Sequence, residues 1–257
     1  MYTLVFDIET IPDVQAGRRL YHFEGTDTEV AAQLFARRLE ETKTTDFLRL
    51  HLQKVAAISV VLAKADQVKV WSLGELGDSE AVLIQKFFEV LQSRTPELVS
   101  WNGSGFDLPV LHYRALINGV VAERYWETGE HDHQFRWNNY LNRYHYRHLD
   151  LMDVLAGYQA KANAPLDEIA TLLGCPGKMG MSGSKVWAYY QEGKLEEIRN
   201  YCETDVLNTY LVYLHFQRMR GILSEDNFIS RQQVLRDYLK TENKDHFTEF
   251  LSQCSNI

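Results

Sequence analysis

Two acids at alternate positions at the end of an apolar N-terminal run constrain this chain more than any other feature. Residues 2–8, Tyr-Thr-Leu-Val-Phe-Asp-Ile, are rich in aromatic and β-branched types and read as a strand. Residues two apart on a strand point to one face, so Asp7 and Glu9 share a side. Thr10-Ile11-Pro12 then ends the strand. Carboxylates are depleted in strands, and a buried unpaired charge must find a cation or a proton. The pair is therefore either solvated at a strand edge or part of an ion-binding site.

The rest of the chain is α/β in character. Residues 15–50 are polar, with a helical stretch near Glu29–Glu41, and read as an insertion carried on the core. Residues 55–63 and 68–71 form strands joined by the Ala65-Asp66-Gln67 turn, a hairpin. Helical periodicity covers 79–94, a short buried strand 97–100, and a helix runs from Asp107 to Asn118. Leu149–Tyr158 and Pro165–Leu173 read as helical, 174–185 as a Gly-rich loop, and 194–219 as a long amphipathic helix with two more behind it. A strand meander followed by crossovers predicts a mixed central sheet flanked by helices. With 257 residues, 45% of them apolar, one large domain suffices. We expect it over 1–222, with 223–257 as a helical extension of the same domain.

Two further places supply acids. Asp107 follows a glycine-punctuated turn, Trp-Asn102-Gly-Ser-Gly-Phe106, at the carboxyl edge where open α/β sheets hold ligands. Ser104-x-x-Asp107 also matches a capping box, so Asp107 is either a ligand or a helix cap. Tyr201 and Asp205 lie four apart on the long helix, hence on one face. Together these carboxylates form an oxygen-rich set that suits Mg²⁺ or Mn²⁺. Without metal, four acids in one cleft repel, and at least one carboxyl is expected to titrate high.

Three motifs in this order resemble a known family. Phe6-Asp7-Ile8-Glu9-Thr10 resembles the first motif, D-x-E, of the DEDD exonuclease superfamily. Asn102 to Asp107 resembles the second, N-x-x-x-F-D, as found in proofreading domains of family B DNA polymerases. Tyr201-Cys-Glu-Thr-Asp205 resembles the third, Y-x-x-x-D. The DEDDh branch carries His five residues before the last Asp, whereas Asn200 stands here, so the chain resembles the DEDDy branch. The likeness spans most of residues 1–220 and is closest to stand-alone bacterial exonucleases. It implies an RNase H-like fold and a 3′→5′ exonuclease acting on 3′ ends of single-stranded DNA or RNA, DNA foremost. It further implies that Asp7, Glu9 and Asp205 hold one metal ion and that Asp7 bridges to a second. Asp107 contributes directly or through water, and Tyr201 orients the attacking water. Thr10, Ile11, Asn102 and Phe106, in or beside the motifs, are expected substrate contacts. An exoribonuclease and a catalytically silent binding module are the alternatives, and the presence of all four acids and Tyr201 weighs against the second.

The remaining features bound the reading. Residues 125–147 interleave Tyr125, Trp126, Phe135, Trp137, Tyr140, Tyr144 and Tyr146 with Arg136, Arg143 and Arg147. They are expected to divide between packing and a stacking platform for single strands. The Gly-rich loop fails the Walker A spacing. It is a surface turn whose Ser184 and Lys185 are secondary substrate contacts. His131, His133, His145 and His148 fit no zinc spacing and read as solvated or stacking groups. Asp150 and Asp153 read as helix caps, with Asp150 alternatively supporting the metal site. A net charge of −8 argues mildly against a phosphate-rich partner, an objection that bound cations and a local basic patch would lift. Cys175, Cys202 and Cys254 form no CxxC pair, and neither a signal peptide nor a membrane span is apparent. A cytoplasmic protein with reduced thiols is expected.

Overall fold

The computed structural model describes residues 1–254. The chain opens with β1 (Thr3–Pro12), α1 (Val14–Tyr21) and α2 (Asp27–Thr42). The hairpin β2 (Gln53–Lys64) and β3 (Gln67–Ser72) comes next, then α3 (Glu80–Arg94), β4 (Glu97–Ser100) and α4 (Asp107–Asn118). After α5 (Glu123–Trp126) come β5 (His148–Asp150), α6 (Leu151–Leu155), α7 (Leu166–Leu172) and α8 (Val186–Gln191). The long α9 (Leu195–Met219), α10 (Glu225–Glu242) and α11 (Asp245–Gln253) close it.

The five strands lie in the order β3-β2-β1-β4-β5. β1, β2 and β3 pair antiparallel, whereas β4 and β5 run parallel to β1. β1 is the middle strand and is covered on both faces. Leu4, Phe6 and Ile8 face the cluster of Ile84, Phe87 and Leu91 from α3 and Leu108 and Leu111 from α4. Val5 points the other way, into Val206, Leu207, Tyr210 and Leu211 of α9. By strand alternation Asp7 and Glu9 share the Val5 face, so both acids are turned toward α9.

The helix expected over Leu149–Tyr158 is helical only over Leu151–Leu155, and Leu149 and Asp150 belong with His148 to the edge strand β5. His148 and Leu149 pair with Leu98 and Val99, so β-pairing to a buried neighbour overrides the local helical pattern. Three short helices, α1, α5 and α8, were not expected from the pattern. Asp13 caps α1, accepting from Ala16 N–H at 3.0 Å. The 15–50 segment is helical as expected in its centre, where Thr26 and Glu29 form a full capping box at the start of α2.

α10 and α11 pack on the sheet rather than trailing from it. Phe228, Leu235, Leu239, Phe247 and Phe250 are buried in the same cluster as Val5 and Val61. One polar residue ties them to α9. Glu203, 4% exposed, accepts from Ser72 N–H and Oγ–H, each at 2.9 Å. Its second oxygen meets Lys244 Nζ at 3.0 Å and His246 Nε2 at 2.8 Å. A single carboxylate thus joins β3, α9 and α11. Burial would push it up, but these donors hold the Glu203 carboxyl below its ordinary range. Among the described residues no helix is long and apolar enough to cross a membrane.

Arg114 plays a similar part on the opposite face. It is 4% exposed, donating to both oxygens of Glu80 at 2.8 and 2.6 Å and to Asp13 Oδ2. Glu80 also accepts from Val55 N–H at 2.7 Å. One guanidinium therefore fixes α4 to α3, β2 and the end of β1. Arg114→Ala leaves two buried carboxylates without a cation. We expect a loss of about 3–5 kcal/mol in urea unfolding, and a loss under about 1 kcal/mol would contradict this role.

Candidate active site

The sheet's topology creates the site. β4 pairs with β1 only over Thr3–Val5, so the β4-facing edge of β1 is open beyond that point. The Ile8 N–H faces this opening and needs an acceptor. Asp107 Oδ1 provides it at 3.1 Å. Asp107 is the first residue of α4 and makes no cap bond there, since the cap position belongs to Phe106 and carries no side-chain bond. The capping reading of Ser104-x-x-Asp107 therefore falls.

The turn that delivers Asp107 is held from β5. Asp150 accepts from Asn102 N–H at 2.9 Å and from Ser104 N–H at 2.8 Å, one bond on each oxygen. It also caps α6 through Asp153 N–H, the first of its two expected roles. Asn102 takes a left-handed conformation at φ 62, which Asn tolerates better than most side chains. Gly103 passes so close to Ser100 that a Cβ there would collide with its side chain.

α9 closes the site from above. Tyr201 and Asp205 lie one turn apart on the same face of the helix, and the phenol holds the Asp205 carboxyl down. Between them Cys202 is fully buried, with Sγ 3.4 Å from the Asp7 carbonyl and 3.5 Å from Asp7 Oδ2. Ligand atoms of Asp7, Glu9 and Cys202 all lie within 4.8 Å of one another. Among the described residues this is the only such cluster, so no zinc-like histidine set forms.

The electrostatics are those of crowded like charges. Burial, then the charges of Asp107, Glu9 and Asp205, hold the Asp7 carboxyl well above its ordinary range. Glu9, 7% exposed, is raised for the same reasons, burial first and then Asp205 and Asp107. Burial lifts Asp107 to about 7, against hydrogen bonds that lower it. Burial lifts Asp205 to about 6, opposed by the Tyr201 phenol and by the positive charge of Lys178. Burial and the neighbouring acids push the Tyr201 phenol far above its usual value, so it stays protonated. The Cys202 thiol is pushed up likewise, by burial and then Asp7 and Glu9. None of the four acids is in an ion pair among the described residues. The donor set fits a hard divalent cation: its oxygens are buried without a countercharge, and its one sulfur is held as a neutral thiol.

A cleft of about 680 Å³ opens beside the acids, lined in part by Glu9, Thr10, Asn102, Phe106 and Ser184. Thr10 Oγ donates to Gln53 Oε1 at 3.0 Å. The Ile11 side chain is instead packed among Ala57, Val186 and Ile198. Lys185 is exposed outside the cleft lining, with Nζ 3.4 Å from the Gly180 carbonyl. Sequence reasoning missed much of the wall, including its three other large aromatic rings. Phe47, from the 15–50 segment, places its ring 5.7 Å from Phe106, and Phe35 and Trp187 complete the apolar side. Nothing local marks them, because they meet the motifs only in the folded chain. Cys202 could have been found: Ile198, Cys202 and Val206 recur at four-residue spacing, the signature of a sheet-facing stripe.

The aromatic stretch divides between buried and exposed rings. Tyr125, Phe135 and Tyr140 are core, while Trp137, Tyr144 and Tyr146 are 84%, 66% and 62% exposed. His148 is neither solvated nor stacking: it is buried, 2.9 Å from Ser100 Oγ, and burial drives its imidazole down to about 4.

The chain matches, over residues 45–254, a family described as a predicted 3′-5′ exonuclease related to the exonuclease domain of PolB. It belongs to that family of exonuclease-type proteins. The match takes in the second and third motifs and extends through α10 and α11, which showed no usable resemblance in the sequence. It begins after Asp7 and Glu9. Among solved structures, the family B DNA polymerase of the hyperthermophilic archaeon Pyrobaculum calidifontis is similar in fold at 19% identity and a TM-score of 0.50. That alignment covers 82% of this chain and 24% of the polymerase, so the chain spans about a quarter of that protein's length. The fold is thus the RNase H-like one of such exonuclease domains. No curated protein sequence matches this one.

The raised carboxyls make stability depend on pH in a stated direction. Asp107 and Asp205 keep their protons in the folded chain to about 7 and about 6, whereas the unfolded chain loses them near pH 4. Stability is therefore full below the unfolded values and falls as pH rises through the folded ones. In EDTA we expect Tm to decline from about pH 4 to about pH 7. Asp107→Asn should flatten the decline, and Mn²⁺ should restore Tm at neutral pH. A Tm indifferent to Mn²⁺ would contradict a metal site.

Proposed function

We propose that this chain is a 3′→5′ exonuclease that releases nucleoside 5′-monophosphates from single-stranded DNA with two divalent ions, Mg²⁺ or Mn²⁺, in the cytoplasm. The observation that carries this reading is the convergence of four buried carboxylates, from β1, α4 and α9, with no cation paired to them. Membership in the exonuclease family and the adjacent aromatic cleft support it. Asp7, Glu9 and Asp205 would hold one ion, and Asp7 and Asp107 the second. Two such ions supply the charge that makes water nucleophilic near neutral pH and that stabilises a departing 3′ oxygen.

The chain's own groups do the rest. The Tyr201 phenol, protonated and beside Asp205, can donate to or orient water but cannot act as its base. The Ile8–Asp107 bond and the Asp150-held turn fix the Asp107 arm before substrate arrives, so less ordering remains to be done during reaction. Phe47, Phe106 and Trp187 keep one wall of the cleft apolar, which suits a nucleobase with its sugar toward Glu9. The acidic net charge is no obstacle at this point, because the ions reverse the local sign.

The test uses 5′-labelled single-stranded DNA and an RNA of matching sequence, each with Mn²⁺ or Mg²⁺ and with EDTA. We expect a metal-dependent ladder shortening from the 3′ end, faster on DNA and abolished by Asp7→Ala. Tyr201→Phe should cost roughly 10²-fold in kcat with KM little changed, as for a lost positioning contact. Intact substrate under every metal condition, with binding preserved, would instead identify a silent nucleic-acid-binding module.

A further inference from the structure

The acids and their cleft leave unused an exposed aromatic face formed by residues of the 143–158 segment. In a chain of net charge −8, residues 133–149 contain Arg136, Arg143, Arg147 and three histidines and no Asp or Glu. Two of these arginines are engaged internally. Arg147 lies over Phe135 and donates to the Asn138 carbonyl, and Arg136 donates to the Gly129 carbonyl. Arg143 is not so enclosed. Its guanidinium sits 5.9 and 5.0 Å from the ring centres of Tyr144 and Tyr158, whose rings meet edge to face at 4.9 Å. Its charge is shared with Asp153 at 2.7 Å, in a half-open pair. Arg220, at the end of α9, lies 5.0 Å over Tyr146.

Tyr144 and Tyr146 are 66% and 62% exposed, and large aromatic rings normally gain most from burial. Tyr158 is held at φ 61 directly after Gly157 at φ 60, a left-handed conformation that a bulky side chain disfavours. The turn is closed by the Tyr158 N–H, which donates to the Asp153 carbonyl at 2.7 Å, and it sets the ring against Tyr144 and Arg143.

Arg143 links the face to a groove of about 500 Å³, whose lining it shares with Leu141, Asn102 and Gly105. Asn102 and Gly105 also line the cleft that holds Glu9.

We infer that this face is a second footing for the substrate: a single-stranded nucleic acid whose 3′ end lies at the acids runs along the groove, its upstream bases stacking on Tyr144, Tyr146 and Tyr158 and its phosphates meeting Arg143 and Arg220. A single strand fits where a duplex does not, because only unpaired bases offer free π-faces to side chains. The inference rests on the exonuclease reading for the direction of the strand. It makes the enzyme sensitive to substrate length, since a strand too short to reach the footing forgoes that contact.

The experiment compares a 20-nucleotide oligo-dT with the dinucleotide, for wild type and for Tyr144→Ala/Tyr146→Ala, in Mn²⁺. Both substituted residues are exposed, and a melting curve checks the fold. The ratio of kcat/KM for the 20-mer to that for the dinucleotide should fall by about tenfold or more, carried by KM. Anisotropy of a labelled 20-mer in EDTA, which needs no hydrolysis, should show Kd rising by a similar factor. An unchanged ratio and Kd, with both substrates still cut, would overturn the footing and leave the nuclease reading standing. A wild type that cuts neither substrate yet loses 20-mer affinity on substitution would sustain the footing and sink the nuclease reading. An unchanged ratio with a wild-type dimer turned into a monomer would make the face a protein interface and overturn the proposal.

Discussion

The structure is organised around an unfavourable act, the burial of carboxylates beside one another without a countercharge. Asp7 and Glu9 point into the contact between the central strand and the longest helix, where burial first and the neighbouring acids second hold their carboxyls well above the ordinary range. Such an arrangement is not stabilising by itself. It persists because apolar packing on both faces of β1 and two separate polar anchors fix the surrounding elements. Arg114 joins α4, α3 and the end of β1, and Glu203 joins α9, β3 and α11. The anchors are fully partnered, while the acids they frame are not. That contrast separates groups that hold the fold from groups that await a ligand.

Much of this was legible in the residues. The alternation of Asp7 and Glu9 on an apolar strand, the turn before Asp107 and the i, i+4 pair on α9 each follow from the geometry of one element. Their convergence followed from motif order and needs the sheet topology to be seen. β5 was not legible, because three residues are too few to show alternation and the apolar run after them has helical spacing. The cap reading of Asp107 failed for a tertiary reason: an open strand edge offered a donor, Ile8 N–H, that local sequence does not reveal. Phe47 and Trp187 were invisible for the same cause. Arg114 reads as an ordinary helix charge until Glu80 and Asp13 are brought to it.

The segments that looked peripheral turn out to be joined to the site. Residues 15–50 contribute Phe35 and Phe47 to the cleft wall, so what reads as an insertion shapes the space beside Glu9. The groove past Asn102 carries that space toward the Arg143 and Tyr144 face. Substrate reach and chemistry would then be set by different parts of the chain, the one variable by surface substitution and the other fixed by the sheet.

Glu203 carries a consequence for how portable such a motif is. It stands inside the third motif, between Tyr201 and Asp205, yet none of its partners does: they come from the end of β3 and the start of α11. Moving the three motifs onto another scaffold would import a buried carboxylate stripped of its donors. The signature that a reader recognises as five residues is, in physical terms, a unit that includes Ser72, Lys244 and His246. Its smallest transplantable form therefore reaches from the first strand to the last helix.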